Sequence, residues 1–253
     1  PKSVSHPEIK FPLDANLYLG YGPLTRNKEA KKTTFKDKLN AAIQAEESNA
    51  LKIIYADESN SVIQNTLQLM HWFGTIGGRS RNGWGSLLLE GNKLRGLESL
   101  KQTDPLLNKL VRPLDQCLSC TWPHAIGKDE GRLLIWTSKK PHNTWREAMV
   151  ELAKTKIAFR TNLAFVKDRG KPDQRHVLAY TITNHPVNEW EKYKVAWSSG
   201  TRNGRLSNQV RFKVMKNSEG KYLGLAYHLP CGIPSELLNA LNAADRTWVV
   251  GQQ

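Results

Sequence analysis

Between Gly74 and Gly85 the chain places five glycines in twelve residues, with Arg79, Arg81 and Asn82 among them. An amphipathic run, Ser61 to Phe73, leads into this stretch, and an apolar run, Ser86 to Leu89, leads out. The pattern predicts a helix that delivers a loop and a strand that receives it. Glycine lets a backbone turn into the left-handed region and approach a ligand closely. Successive exposed N–H groups form a concave anion site, and guanidinium forks match phosphate geometry. The candidate anion-binding residues are therefore Gly74, Gly77, Gly78, Arg79, Ser80, Arg81, Asn82, Gly83 and Gly85. A tight helix-to-strand connection with solvated arginines is the competing reading. A P-loop and a dinucleotide fingerprint are both excluded, since each needs strand, loop, helix in that order.

Charge narrows the partners. Lys and Arg number 37 against 23 Asp and Glu, a net charge of +14 over 253 residues. That excess suits a polyanion, nucleic acid first and a membrane surface second. No apolar run approaches the length of a bilayer span, so no membrane partner is expected. Three cysteines make no disulfide framework and no signal-peptide pattern is visible, so a reducing cytoplasm is the expected compartment.

Along the chain, Phe11, Leu13, Ala15, Leu17 and Leu19 alternate with polar neighbours and predict a strand over 8–23. A basic stretch follows, with Arg26, Lys28, Lys31, Lys32, Lys36 and Lys38, read as a solvated or RNA-facing loop. A short helix is expected over 39–45 and a strand over 50–56. Val62, Ile63, Leu67, Met70 and Phe73 form the expected core stripe of the next helix. Residues 94–116 read as mostly helical from Asp104-Pro105. A strand over 133–136, a helix over 143–156 and strands over 157–166 and 177–183 follow. Trp190, Tyr193 and Trp197 lie among cations and suit either base stacking or packing on their own domain. Val210, Phe212 and Val214 are expected to face one way and Arg211 and Lys213 the other. A strand over 225–229 and a final helix over 235–244 close the chain.

Cys117, Cys120 and His124, with Cys231 or His228 as a fourth ligand, are weak zinc candidates. A second close pair is missing, so ordinary buried thiols are the alternative. No cofactor is expected. Asp14, Asp37 and Asp57, and His71, His124, His142, His176 and His185, are scattered and suggest no catalytic group by spacing.

The run Gly77-Gly78-Arg79-Ser80-Arg81-Asn82-Gly83-Trp84-Gly85-Ser86 resembles the glycine-rich loop of the RAMP superfamily. These are ferredoxin-like, RNA-binding proteins of CRISPR effector complexes. Within it, the pattern Gly-Ala-Arg-x-Arg-x-Gly-Phe-Gly-Ser of the subunit-1 family of type III-B (Cmr) complexes is most similar. Arg205-Leu206-Ser207-Asn208, Arg211-Phe212-Lys213 and Gly220-Lys221-Tyr222 resemble the late hairpin of such subunits. The resemblance implies an α+β fold of tandem ferredoxin-like (RRM-like) units, with antiparallel sheets plus helices. It divides the chain into 1–130, with the loop at 74–85, and 131–253, with the late hairpin and C-terminal helix. It implies contact with guide or target RNA, through the loop and through Arg202, Arg205 and Arg211, and contact with neighbouring RAMP subunits. It also implies no catalysis, because in the family a different, repeated backbone subunit cleaves the target with a loop aspartate.

Two departures stand out. The family's first strand, ending in a Thr-Pro-x-hydrophobic segment, is not found, so the first unit is expected to lack it here. Gly78 stands where alanine is usual. A guide-processing RAMP endoribonuclease is the rival reading, but there the glycine-rich loop lies near the C-terminus, and here two thirds of the chain follows it. A basic scaffold protein without RNA contact is the third.

Overall fold

The computed structural model describes residues 3–21, 24–27, 32–35, 43–91, 94–101, 103–163, 171–180, 187–190, 206 and 208–253. Its strands are β1 (Ser3–Val4), β2 (Leu13–Asp14), β3 (Leu24–Asn27), β4 (Lys32–Phe35), β5 (Arg112–Pro113), β6 (Gly127–Asp129), β7 (Arg132–Leu133), β8 (Ile135–Thr137), β9 (Val210–Lys216) and β10 (Tyr222–His228). Its helices are α1 (Ala15–Gly20), α2 (Asn60–Phe73), α3 (Pro105–Leu110), α4 (Leu114–Leu118), α5 (Trp145–Asn162), α6 (Gln174–Leu178), α7 (Ser235–Asn239) and α8 (Ala243–Gly251). The fold is α+β with small sheets: β1 with β2, β3 with β4, β5-β6-β7, and β8-β10-β9 with β10 central. The pairs β1–β2, β3–β4 and β6–β7 are antiparallel, and β5–β6 is parallel.

The chain folds as two compact units built from separated segments. One comprises Pro1–Leu107, Trp136–Thr155 and Phe212–Ala226; the other comprises Asn108–Ile135, Lys156–Arg211 and Tyr227–Gln253.

In the first unit, α2 starts where expected but turns a different face inward. Gln68, His71 and Trp72 are buried, while Val62 of the expected stripe is exposed. Polar groups make this face viable. The Gln68 side chain donates to the Arg95 carbonyl at 2.9 Å and accepts from the Arg95 N–H at 2.8 Å. Trp72 Nε1 donates to the same carbonyl at 3.0 Å, and the Arg95 guanidinium lies 4.8 Å from the Trp72 ring. Buried polar groups that find partners carry little penalty, so a residue-type stripe need not be the buried one. Ala148, Met149 and Leu152 of α5 are buried as the spacing predicts.

Several expected strands are not strands. Residues 15–20 form α1, because Asp14 caps it by accepting from the Asn16 N–H at 2.9 Å. Residues 50–56 pair with nothing among the described residues. Residues 157–162 continue α5, and Val177 lies in α6. Asp173 caps α6 through a box with His176, whose Nδ1 accepts from the Asp173 N–H at 3.0 Å. The final helix is two, α7 and α8, with Asn242 capping the second by accepting from Asp245 N–H at 2.9 Å. The helical reading of 94–116 reduces to a turn at Leu97–Ser99, α3 and α4. The short helix expected over 39–45 lies partly outside the described residues, and 43–45 is not helical.

The second unit is built on a core of Val177, Tyr180, Val187, Trp190, Leu206, Cys231, Ile233, Leu237, Leu241 and Val249. Trp190 is fully buried, and its indole N–H donates to the Leu237 carbonyl at 2.7 Å. This residue therefore packs on its own domain, while Tyr193 and Trp197 lie outside the described residues.

Candidate nucleic-acid interface

The glycine-rich loop is a closed hairpin with a fixed inner half and an open outer half. Its base is a short antiparallel rung: Thr75 faces Ser86, Ile76 N–H donates to the Gly85 carbonyl at 2.9 Å, and Leu87 N–H donates to Gly74 at 3.1 Å. Beyond Ser86 the expected strand does not continue. Gly85 has φ +64°, and a Cβ there would sit 1.8 Å from the Ile76 carbonyl oxygen, so no other residue closes this rung.

The inner half is held against β9 and α1. Asn82 is buried and its side-chain amide donates to the Leu19 carbonyl at 2.8 Å. Phe212 N–H donates to the Arg81 carbonyl at 3.0 Å. Ser86 Oγ donates to the Gly83 carbonyl and accepts from the Val214 N–H, at 2.8 and 2.9 Å. The Trp84 ring meets Trp145 edge-on, with centroids 6.1 Å apart. Asn82, Gly83 and Ser86 thus shape the loop from inside.

The outer half is exposed from Ile76 to Arg79 and again at Arg81. Among the described residues, the N–H groups of Gly77, Gly78 and Arg79 meet no protein acceptor, and neither does the Arg79 guanidinium. Gly77 has φ +83° and Arg79 φ +66°. Three successive exposed N–H groups without a protein acceptor, beside an exposed guanidinium, are donors that an anion can accept. By contrast, the N–H groups of Gly74, Ile76, Ser80 and Asn82 are used inside the chain. Within the glycine run, 77–79 is thus a stretch of three consecutive exposed N–H groups without an acceptor among the described residues.

Beneath the loop lies a buried lysine. The alternation sets Lys213 on the face opposite Phe212, yet both are buried, and Lys213 completely so. Its ammonium donates to the carbonyls of Met70 and His71, at 3.2 and 2.5 Å. These carbonyls lie in the last turn of α2, where the helix dipole favours a cation. Burial pulls the Lys213 ammonium down to about 7. The His71 imidazole is held below its usual range by burial and then by the nearby Lys213, while its hydrogen bond to the Leu89 carbonyl opposes this. No sequence signal separates such a lysine from a solvated one on an alternating strand.

Among the other expected contacts, Arg211 is half-buried and hydrogen-bonds the buried Tyr227 hydroxyl, whose phenol burial pushes up. Arg202 and Arg205 lie outside the described residues.

The zinc candidates do not converge: among the described residues no three His, Cys, Asp or Glu side chains gather as a metal site. Cys117 is buried with its Sγ 3.6 Å from the Arg112 carbonyl, and burial pushes its thiol up. Burial likewise pushes Cys231 up to about 11. His124 Nδ1 lies 3.1 Å from the Trp122 carbonyl, and His228 Nε2 lies 3.1 Å from Gln209 Oε1.

One polar cluster has no counterpart in the sequence reading. Ser138 Oγ donates to Glu151 Oε2 at 2.6 Å and accepts from Gly224 N–H at 2.8 Å, and His142 Nε2 meets the same carboxylate oxygen at 2.5 Å. Serine and histidine both bind the carboxylate and not each other, so this is a tie between segments rather than a nucleophile–base pair.

No family model, curated protein or solved structure matches the chain.

Proposed function

We propose that this chain is a non-catalytic, RNA-binding RAMP subunit of a type III-B CRISPR interference complex, built from tandem ferredoxin-like units and acting in cytoplasmic antiviral defence. The observation that carries the RNA reading is the outer half of the glycine-rich loop. There, three consecutive N–H donors and the Arg79 guanidinium are exposed and without a partner among the described residues, on a chain of net charge +14. The subunit and its complex rest on the resemblance of residues 77–86 to the family loop. Guide or target RNA phosphates are the ligand, and neighbouring RAMP subunits are the protein partners. Phosphate contacts carry little sequence information, which suits a protein that accepts any guide.

Labelled single-stranded RNA titrated across a salt series tests the reading, with RNA integrity followed in the same samples. Intact RNA and salt-sensitive binding are expected, and Arg79→Ala with Arg81→Ala is expected to lower the log–log salt slope by up to about two charges. An unchanged slope overturns the loop assignment. RNA cleavage replaces it with the endoribonuclease, and an absence of salt-sensitive binding leaves the scaffold.

A further inference from the structure

The segment 50–56, Ala-Leu-Lys-Ile-Ile-Tyr-Ala, has the composition of a strand and the surroundings of none. Leu51 is 62% and Ile54 87% exposed, and Ile53 and Tyr55 are exposed beside them. Among the described residues, the backbone of 51–55 makes no hydrogen bond. The segment is nonetheless held at both ends. Upstream, Glu46 accepts from the Tyr222 hydroxyl and pairs with Lys216 at 3.2 Å. Downstream, the Ala56 carbonyl accepts from Ser59 N–H at 2.9 Å, and the Tyr55 hydroxyl donates to Asn60 Oδ1 at 3.0 Å. Val62, one turn into α2, extends the apolar surface and is 63% exposed. Open backbone donors and acceptors, together with uncovered apolar side chains of high strand propensity, form a template for strand addition.

Charge selects the occupant. Glu46, Glu47, Asp57 and Glu58 flank the segment, with Lys52 the one cation between them, on a chain that is otherwise strongly basic. We propose that residues 50–56 are a docking strand that adds to the sheet edge of a partner protein whose strand is apolar at its centre and carries Lys or Arg at its ends. A polyanion is repelled by this rim, so the surface is separate from RNA contact and independent of what the glycine-rich loop binds. A second copy is disfavoured for the same reason. Antiparallel self-pairing about Lys52 would set Glu47 of each copy opposite Asp57 of the other and Lys52 opposite Lys52, and opposed like charges destabilise a strand pair.

The test uses the full chain and two fluorescent peptides that share the core Val-Thr-Val-Ile-Val, one flanked by lysine pairs and the other by glutamate pairs. Fluorescence anisotropy is expected to show the basic peptide binding at least tenfold more tightly. Methylation of its alternate backbone nitrogens is expected to abolish that binding. Ile53→Pro, in an unpaired stretch, and Ile54→Asp, which leaves the backbone donors in place, are each expected to weaken it tenfold or more with the circular dichroism spectrum unchanged. Equal affinity for both peptides, binding that survives methylation or both substitutions, or no binding overturns the proposal. So does a dimer in sedimentation velocity that Ile53→Pro dissolves, since the occupant is then a second copy.

Discussion

The Lys213 ammonium is anchored on the His71 carbonyl at 2.5 Å, and so ties β9 to the last turn of α2, three residues before the glycine-rich loop begins at Gly74. The loop's approach angle depends on a buried charge. Burial opposes that charge, and two carbonyls in the last turn of α2 favour it.

This arrangement has a pH signature. The folded-state value for Lys213 is about 7 against an ordinary 10.5. Between these values the unfolded chain binds the extra proton, so stability rises with pH across this window. Below 7 both states are charged and the folded state bears the whole burial penalty. The expected slope is about 1.4 kcal/mol per pH unit for one group. Urea melts at pH 7, 8 and 9 should therefore show wild type gaining on Lys213→Met. A constant difference between the two proteins would place the lysine in water.

His228 makes the complementary prediction on the acid side. Burial holds it at about 4 against an ordinary 6.5, with Nε2 on Gln209 Oε1 at 3.1 Å. The side-chain amide of Gln209 also donates to the Val177 carbonyl, at 3.0 Å. An acceptor oxygen opposite Nε2 puts the proton of the neutral ring there. A depressed folded value means that stability is fully present above 6.5 and is lost as pH falls toward 4. His228→Gln keeps a donor for Gln209 and does not titrate. Wild type should lose about 1.4 kcal/mol per pH unit relative to His228→Gln between pH 6 and 4.5. Parallel acid curves would remove His228 from this role.

Gly85 and Gly77 both have positive φ, yet alanine should act on them very differently. At Gly77 a Cβ meets nothing within 4 Å, leaving only the left-handed penalty of about 1–2 kcal/mol. At Gly85 the Cβ would lie 1.8 Å from a backbone oxygen, so the Thr75–Ser86 rung must open. Gly85→Ala should cost clearly more than Gly77→Ala in urea melts, and amide exchange at Ile76 should accelerate with it. Similar costs for the two would argue that the hairpin base is not a closed rung.

Much of this was legible in the residues, and what was not has physical causes. The α2 span and the loop that follows it could be read because periodicity over fourteen residues and a dense glycine run are both strong local signals. The buried face of α2 could not, because its inward residues Gln68 and His71 are polar, and the Gln68 side chain finds its partners only at the distant Arg95 backbone. The alternation over residues 11–19 predicts a strand, but an Asp14 cap turns its second half into α1. In the loop itself, glycine count marks the region but not the division of labour within it. Asn82 and Arg79 look alike as polar loop residues, yet one is enclosed and the other is on the rim.

That division yields the sharpest test of the candidate site. Asn82→Ala leaves the Leu19 carbonyl without its donor inside the first unit, a loss expected to cost about 1–3 kcal/mol. Arg79 is exposed and its guanidinium has no partner among the described residues, so Arg79→Ala should change stability by less than about 0.5 kcal/mol. Its backbone, however, sits at φ +66°, where only glycine is at ease. Arg79→Gly should therefore stabilise the fold by about 1 kcal/mol relative to Arg79→Ala. Parallel urea melts and RNA salt titrations on the three variants separate the roles. Asn82→Ala should lose stability, whereas both Arg79 variants should lose about one charge of salt slope with the fold intact. If Arg79→Gly is stabilised and still binds RNA with the wild-type slope, the cation on the rim is not a phosphate contact, and the free N–H groups of 77–79 are left to bind the anion alone.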